Sequence, residues 1–306
     1  MSKTYIFGHK NPDTDTITSS LVMEDFERKM GNGDVVACRL GKPNKETEYV
    51  LNYLNIDAPE LIENVEDGAN VILVDHNSPK ESVDNLENAK ILKVIDHHKL
   101  ALETSYPLFY RAEPVGCTET VMYKMYKENG LEIDKKIATL MLSAIISDTL
   151  LLKSPTCTNE DREAVRELAK VAEIDYEVYG LEMLKAGTDL SDYSPADLLN
   201  IDAKEIDLKD VKSIIAQVNT ASISDVLSMK SEIESAMNNV INDKGLDLFV
   251  LLITDIINSD SQVIALGNRA DLVEKSYGVT LENNTAILKG VVSRKKQVVP
   301  ILTDNA

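Results

Sequence analysis

Short apolar runs rich in β-branched residues alternate with longer amphipathic stretches through the first half of this chain, and that alternation leaves few folds open. Thr4–Phe7, Val35–Cys38, Val71–Val74 and Ile91–Ile95 have the length and composition of buried strands. Ile17–Lys29, Glu46–Leu54, Glu119–Glu128, Lys135–Leu150 and Asn159–Ala172 carry helical spacing. Strands separated by helices are joined by crossovers, and crossovers make neighbouring strands parallel. The pattern predicts an α/β fold, with a mostly parallel sheet flanked by helices on both faces.

Gly187–Pro195 is rich in Gly, Ser, Asp and Pro and reads as a linker and hinge. Beyond it, Ile214–Val218, Leu248–Ile253, Gln262–Leu266 and Val298–Ile301 read as strands, with helical stretches near Ser222–Asn242 and over Asp271–Tyr277. Two domains are expected, residues 1–186 and 196–306, the second a smaller α/β domain. A length of 306 residues agrees with that count.

The chain carries 51 Asp and Glu against 32 Lys and Arg, a formal charge of −19. Neither half is basic, so nucleic acid and anionic membranes are not expected partners. The three cysteines, Cys38, Cys117 and Cys157, are far apart and form no CxxC pair, which fits a reducing compartment. The start of the chain lacks the apolar core of a signal peptide. The longest clean apolar run, Leu248–Ile253, is too short to span a bilayer. A cytosolic protein is expected.

The four histidines, His9, His76, His97 and His98, all follow closely on predicted strands. Ligands of parallel sheets bind outside the carboxyl ends of the strands. After the first strand comes Gly8-His9-Lys10-Asn11-Pro12-Asp13-Thr14-Asp15-Thr16. A turn with Asp15 or Thr14 capping the next helix explains one acid. It explains neither the second acid nor His9, so His9, Asp13 and Asp15 are candidate metal ligands. Val74-Asp75-His76-Asn77 ends another strand, and Asp75 serves equally as a ligand or as the start of an Asx turn. Asp96-His97-His98 ends a third; two adjacent histidines are costly in a core, and Asp96 is placed to orient one of them. Asp148 lies in Leu140-Met-Leu-Ser-Ala-Ile-Ile-Ser-Asp-Thr-Leu-Leu-Leu152, where a carboxylate needs a partner or a metal. His9, Asp13, Asp15, Asp75, His97 and Asp148 suffice for two ions bridged by a carboxylate. Mixed imidazole and carboxylate donors suit Mn²⁺ or Co²⁺, with Zn²⁺ also admissible. Two ions about 3.5–4 Å apart can share a water and aim it at phosphorus. In the second half, Ser293-Arg294-Lys295-Lys296 and Lys204 form a candidate anion clamp in an acidic chain.

These motifs, in this order, resemble those of the family II, manganese-dependent inorganic pyrophosphatases of the DHH phosphoesterase superfamily. Asp96-His97-His98 matches the DHH signature itself. The Gly8–Thr16 segment, Val74–Asn77 and Ser143–Asp148 resemble further motifs of the first domain. Ser293–Lys296 resembles the C-terminal signature, and the likeness spans essentially the whole chain. The resemblance implies a DHH catalytic domain and a smaller DHHA2-like domain, with the active site in the cleft between them. It implies one Mn²⁺ on His9, Asp13 and Asp75, and a second on Asp15, Asp75, His97 and Asp148. It implies that His98, Lys204, Arg294 and Lys295 bind pyrophosphate, with additional Mg²⁺ accompanying the substrate, and that the protein is a homodimer. The expected reaction is hydrolysis of pyrophosphate to two phosphates by a metal-activated hydroxide, with Asp75, His98, Lys204, Arg294 and Lys295 as the catalytic set.

Two other readings compete. A DHH phosphodiesterase acting on oligonucleotides or cyclic dinucleotides is disfavoured, because those relatives carry a GGGH-type element and this chain has no histidine after His98. A phosphate- or nucleotide-sensing module would not need the full ligand set. A nicotinamide-binding protein is disfavoured by the absence of GxGxxG after the first strand. There is no room for inserted CBS domains. No role follows from sequence for His76, Lys296 or the cysteines.

Overall fold

The protein is described from a computed structural model covering residues 3–190 and 192–306. Met1 and Ser2, and Ser191 in the expected linker, lie outside the described residues. The chain divides into two compact units, Met1–Gly187 and Thr188–Ala306.

The first unit alternates strand and helix: β1 (Thr4–Phe7), α1 (Thr14–Lys29), β2 (Val35–Arg39), α2 (Lys45–Leu54), β3 (Glu60–Leu61), β4 (Asn70–Val74), β5 (Lys90–Asp96) and β6 (Phe109–Ala112). Helices α3 (Thr118–Glu128), α4 (Lys135–Asp148), α5 (Asn159–Ala172) and α6 (Tyr176–Gly187) follow. The six strands lie in the order β3-β2-β1-β4-β5-β6, and every pair is parallel. Strand order therefore reverses between β1 and β4, which opens a crevice at their carboxyl ends. Ile6, Phe7 and Val71–Val74 are fully buried or nearly so. Burial on both faces is what their unbroken apolar composition requires.

The caps explain where the helices begin. Asp13 Oδ1 accepts from the Thr16 N–H, Asp134 Oδ1 from the Ile137 N–H, and Thr158 and Asp161 form a reciprocal capping box. Asp13, rather than Thr14 or Asp15, is thus the cap of α1, and both later residues are inside the helix.

The second unit contains α7 (Pro195–Leu198), β7 (Ala203–Leu208), β8 (Val211–Thr220), α8 (Ile223–Leu227), α9 (Lys230–Lys244), β9 (Leu248–Asp255), β10 (Asp260–Leu266), α10 (Asp271–Tyr277), β11 (Thr285–Leu288) and α11 (Val299–Asn305). Its sheet runs β11-β10-β9-β8-β7 and is antiparallel except for the β8–β9 pair. Leu252 and Val263 pack into one core and Phe249 and Ile264 into another, so side chains leave the sheet on both faces.

One expected strand is corrected. Val298–Ile301 continues a π-helical turn at Arg294–Val298 into α11. Pro300, in the first turn of that helix, sits where its missing N–H costs nothing. Pro195 likewise opens α7. Among the described residues no helix is long and apolar enough to cross a membrane.

Candidate metal centre

The first unit gathers seven of the predicted residues at the reversal point of its sheet. His9, Asp13 and Asp15 follow β1, Asp75 follows β4, His97 and His98 follow β5, and Asp148 ends α4. Three overlapping groups, His9–Asp13–Asp75, Asp15–His97–Asp148 and Asp75–His97–His98, each present donor atoms within 4.8 Å of one another. Asp75 belongs to two of them. One of its oxygens lies 3.4 Å from His9 Nε2 and the other 3.4 Å from His97 Nε2.

The local backbone serves this convergence. Gly8 brings β1 hard against α1: a Cβ there would stand 2.5 Å from Thr16 Cγ2. That approach lets the Thr16 hydroxyl donate to Asp75 Oδ2 at 2.6 Å. Asp75 itself has φ +56°, a left-handed conformation that Asp tolerates better than most residues.

The two flanking imidazoles are fixed the same way. His9 Nδ1 bonds the Lys10 carbonyl at 2.7 Å, and His97 Nδ1 bonds the Val115 carbonyl at 3.2 Å. A carbonyl only accepts, so the proton sits on Nδ1 and Nε2 faces the carboxylates, the arrangement of metal-ligating histidines. Asp96 orients His98 rather than His97: its Oδ1 meets His98 Nδ1 at 2.9 Å, while Oδ2 accepts from Asn77 Nδ2.

The electrostatics of the cluster follow from its burial and its crowding of carboxylates. Burial, reinforced by the Asp75 charge, raises Asp15 to about 7. Burial and the charges of Asp15 and Asp75 push Asp148 well above the usual carboxylate range. The C-terminal end of α4 offers Asp148 no help, since its dipole is negative there. Asp75 goes the other way: burial opposes its charge, but hydrogen bonds from His9, His97 and Thr16 hold it well below the usual range. Burial likewise disfavours a charged His9 or His97, yet Asp13 and Asp75 lift His9 to about 11, and Asp75 and Asp15 lift His97 to about 9. Burial and mutual repulsion make these carboxylates costly as anions without positive charge beside them. Four carboxylates and two Nε2 atoms fit divalent metal.

The chain matches the DHH family, N-terminal domain, over residues 3–145 and the DHHA2 domain over residues 181–305. It is 55% identical over 307 residues to the manganese-dependent inorganic pyrophosphatase of Bacillus subtilis, covering 99% of each chain. It is 56% identical over 306 residues to a protein of Oceanobacillus iheyensis named a probable manganese-dependent inorganic pyrophosphatase, again covering 99% of each. The chain belongs to the manganese-dependent inorganic pyrophosphatase family. A crystal structure from Methanococcus jannaschii, described as a "putative family II inorganic pyrophosphatase", matches at 41% identity and a TM-score of 0.63, covering 99% of both chains. The family's manganese agrees with this donor set of carboxylates and imidazoles.

The remaining predicted residues lie in the second unit. Lys204 is exposed on β7, and Lys295 and Lys296 are exposed on the π-helical turn. The Arg294 guanidinium pairs with the Asp202 carboxylate at 2.8 Å, and its backbone N–H donates to Gln217 Oε1 at 2.9 Å. Gln297 Oε1 accepts from the Val292 and Ser293 N–H groups and so braces the same turn.

Sequence reasoning missed the supporting residues. Ser19 donates to Asp15 Oδ1 at 2.8 Å, and the Thr118 N–H and hydroxyl donate to Asp15 and Asp75. Glu46 accepts from Thr14 and Ser147, neighbours of three predicted ligands. Hydroxyls at helix starts look like caps and those further along bond the helix's own carbonyls, so nothing in their spacing marks them. His76 is buried, bonds the Val74 carbonyl through Nδ1, and belongs to none of the three donor groups. Cys38 and Cys117 are buried free thiols, and Cys157 is a half-buried one.

Proposed function

We propose that the protein hydrolyses inorganic pyrophosphate to two phosphates at a centre of two Mn²⁺ ions, with Co²⁺ able to replace them and Mg²⁺ accompanying the substrate. The observation that carries this reading is Asp75, one oxygen of which lies beside His9 and the other beside His97. His9, Asp13 and Asp75 hold one ion; Asp15, Asp75, His97 and Asp148 hold the other. When bound, the ions supply Lewis-acid chemistry, acidifying water and drawing charge from the phosphoryl oxygens.

The side chains do the rest. Thr16 and Thr118 hold Asp75 in orientation from opposite oxygens. The Asp96 hydrogen bond raises the pKa of His98, so His98 remains a cation to higher pH and is ready to donate to a phosphate oxygen. Lys204, Arg294 and Lys295 neutralise the leaving phosphate, Arg294 through a planar fork that matches phosphate oxygens. In this reading residues 1–186 form the metal-binding catalytic domain, residues 187–195 a hinge, and residues 196–306 a substrate-binding domain. The surroundings are cytosolic, and neither nucleic acid nor membrane is a partner.

A homodimer forms through the first unit. β6 is the outer strand of its sheet and exposes Phe109 and Tyr110, at 48% and 37%. An exposed apolar edge strand is a template for a second chain. Sedimentation of the full chain, with Phe109→Lys as the disrupting variant, tests this.

Activity is tested by phosphate release after metal stripping and readdition of Mn²⁺, Co²⁺, Zn²⁺ or Mg²⁺, with a short oligonucleotide in parallel. Turnover of pyrophosphate alone, fastest with Mn²⁺ or Co²⁺, is expected. Cleavage of the oligonucleotide with inert pyrophosphate overturns the reading in favour of a phosphodiesterase; turnover of neither leaves a binding module.

A further inference from the structure

Asp161 lies in the first turn of α5, is fully buried, and is remote in sequence from every predicted ligand. Its Oδ2 accepts from the Thr158 N–H at 2.6 Å and the Thr158 hydroxyl at 2.7 Å, which closes the capping box. Capping needs no more than this, yet the same carboxylate takes donors from another element. The Thr120 hydroxyl donates to Oδ1 at 2.6 Å, and the Gly116 N–H lies 3.0 Å and 3.2 Å from the two oxygens. The approach is close enough to demand glycine: a Cβ on Gly116 would stand 2.8 Å from Asp161 Oδ2 and 2.8 Å from Thr149 Cγ2.

The segment pinned in this way, Val115–Thr118, reaches three of the predicted ligands. The Val115 carbonyl bonds His97 Nδ1 at 3.2 Å. The Thr118 N–H donates to Asp15 Oδ2 at 2.8 Å, and the Thr118 hydroxyl to Asp75 Oδ1 at 3.1 Å. An imidazole and two carboxylates thus take bonds from this segment, and Asp161 holds it at Gly116 and, just beyond it, at Thr120.

We infer that Asp161 is a positioning residue of the metal centre, acting through Gly116 and Thr118 on His97, Asp15 and Asp75. The inference rests on the reading of the cluster as a manganese site. Groups that orient ligands without touching the metal typically govern about 10- to 100-fold in metal affinity.

The test titrates Mn²⁺ into the metal-stripped full chain, following free Mn²⁺ by electron paramagnetic resonance, and records thermal unfolding of the metal-free protein alongside. Asp161→Ala and Thr118→Val are expected to weaken Mn²⁺ binding by about 10- to 100-fold, with Thr118→Ser restoring it. Thr158→Val removes the cap hydroxyl but spares the bonds to Gly116 and Thr120. It should lower the unfolding temperature and leave Mn²⁺ affinity unchanged. Gly116→Ala displaces the segment while keeping the carboxylate, and serves if Asp161→Ala does not fold; it should lose affinity equally. Because both residues act along one path, Asp161→Ala with Thr118→Val should cost less than the product of the single effects. Wild-type affinity in Asp161→Ala or Gly116→Ala overturns the inference, as does an equal loss in Thr158→Val, which would make Asp161 only a helix cap. Absence of Mn²⁺ uptake by the unaltered protein overturns the metal reading itself and is told apart by that control.

Discussion

In the first unit the charged groups sit at the ends of buried parallel strands and hold one another; in the second they stand on an exposed turn and strand. Asp15 and Asp75 are buried; Asp15 accepts from Ser19 and the Thr118 N–H, and Asp75 from the Thr16 and Thr118 hydroxyls besides the two imidazoles. Lys204 and Lys295 are exposed, and Arg294 is the member held in place, by Asp202 and Gln217. A site that must bind small hard cations gains from rigidity, because its donors have to meet within a few ångströms. In the proposed reading the second unit takes up and releases phosphate, a task that suits exposed ammonium groups together with one oriented guanidinium.

Substitutions can sharpen that contrast. The largest effect is expected from Asp75→Asn, since it weakens both donor groups together: a fall in kcat on the order of 10³-fold or more, with reduced Mn²⁺ uptake. Uptake and turnover like wild type would show that Asp75 is not shared. Arg294→Ala is expected to lower kcat/KM by roughly 10²-fold while leaving Mn²⁺ uptake unchanged, because the loss is confined to stabilisation of phosphate charge. Equal loss of metal binding would break the division of labour between the units.

A third expectation concerns pH. Asp15 at about 7, His97 at about 9 and His9 at about 11 all bind protons more tightly folded than unfolded. The metal-free protein should therefore lose stability as pH rises, through Asp15 between about 4 and 7 and through the histidines from about 6.5 upward. Mn²⁺ displaces those same protons, so the rise in unfolding temperature on adding Mn²⁺ should grow with pH. Scanning calorimetry from pH 5 to pH 9 decides it; a metal-induced shift that shrinks with pH would contradict the charge argument. The smallest effect is expected from Asp202→Asn, which removes the charge paired with the Arg294 guanidinium but leaves the Asp202 carbonyl that also accepts from it: KM raised about 3- to 5-fold, kcat nearly unchanged. A kcat loss matching that of Arg294→Ala would mean that Asp202 does more than orient it.

Much of the first unit was legible in the sequence because parallel strands buried on both faces advertise themselves, and because scarce histidines mark the strand ends. Edge strands were not: β6 and β7 are exposed and mixed in composition, and β3 has only two residues. Val298–Ile301 shows the opposite error, since a short apolar run is ambiguous between strand and helix. Of the site, the ligand candidates stood out because their residue types are costly where they lie. Thr16, Thr118 and Asp161 did not, because hydroxyls and acids in first helical turns have an ordinary explanation, and Ser19, a turn further on, is a commonplace small residue inside a helix.

The left-handed backbone at Asp75 has a bearing on which residues this position can accept at all. Glu carries the same charge, but it lacks the short side chain that eases an L-residue into that conformation, and its extra methylene would carry the oxygens past both groups they serve. Asn and Gly suit the backbone and lose the charge. The chemical alphabet at this strand end is therefore nearly one letter long, restricted from one side by the main chain and from the other by the two sets of donors that share its oxygens.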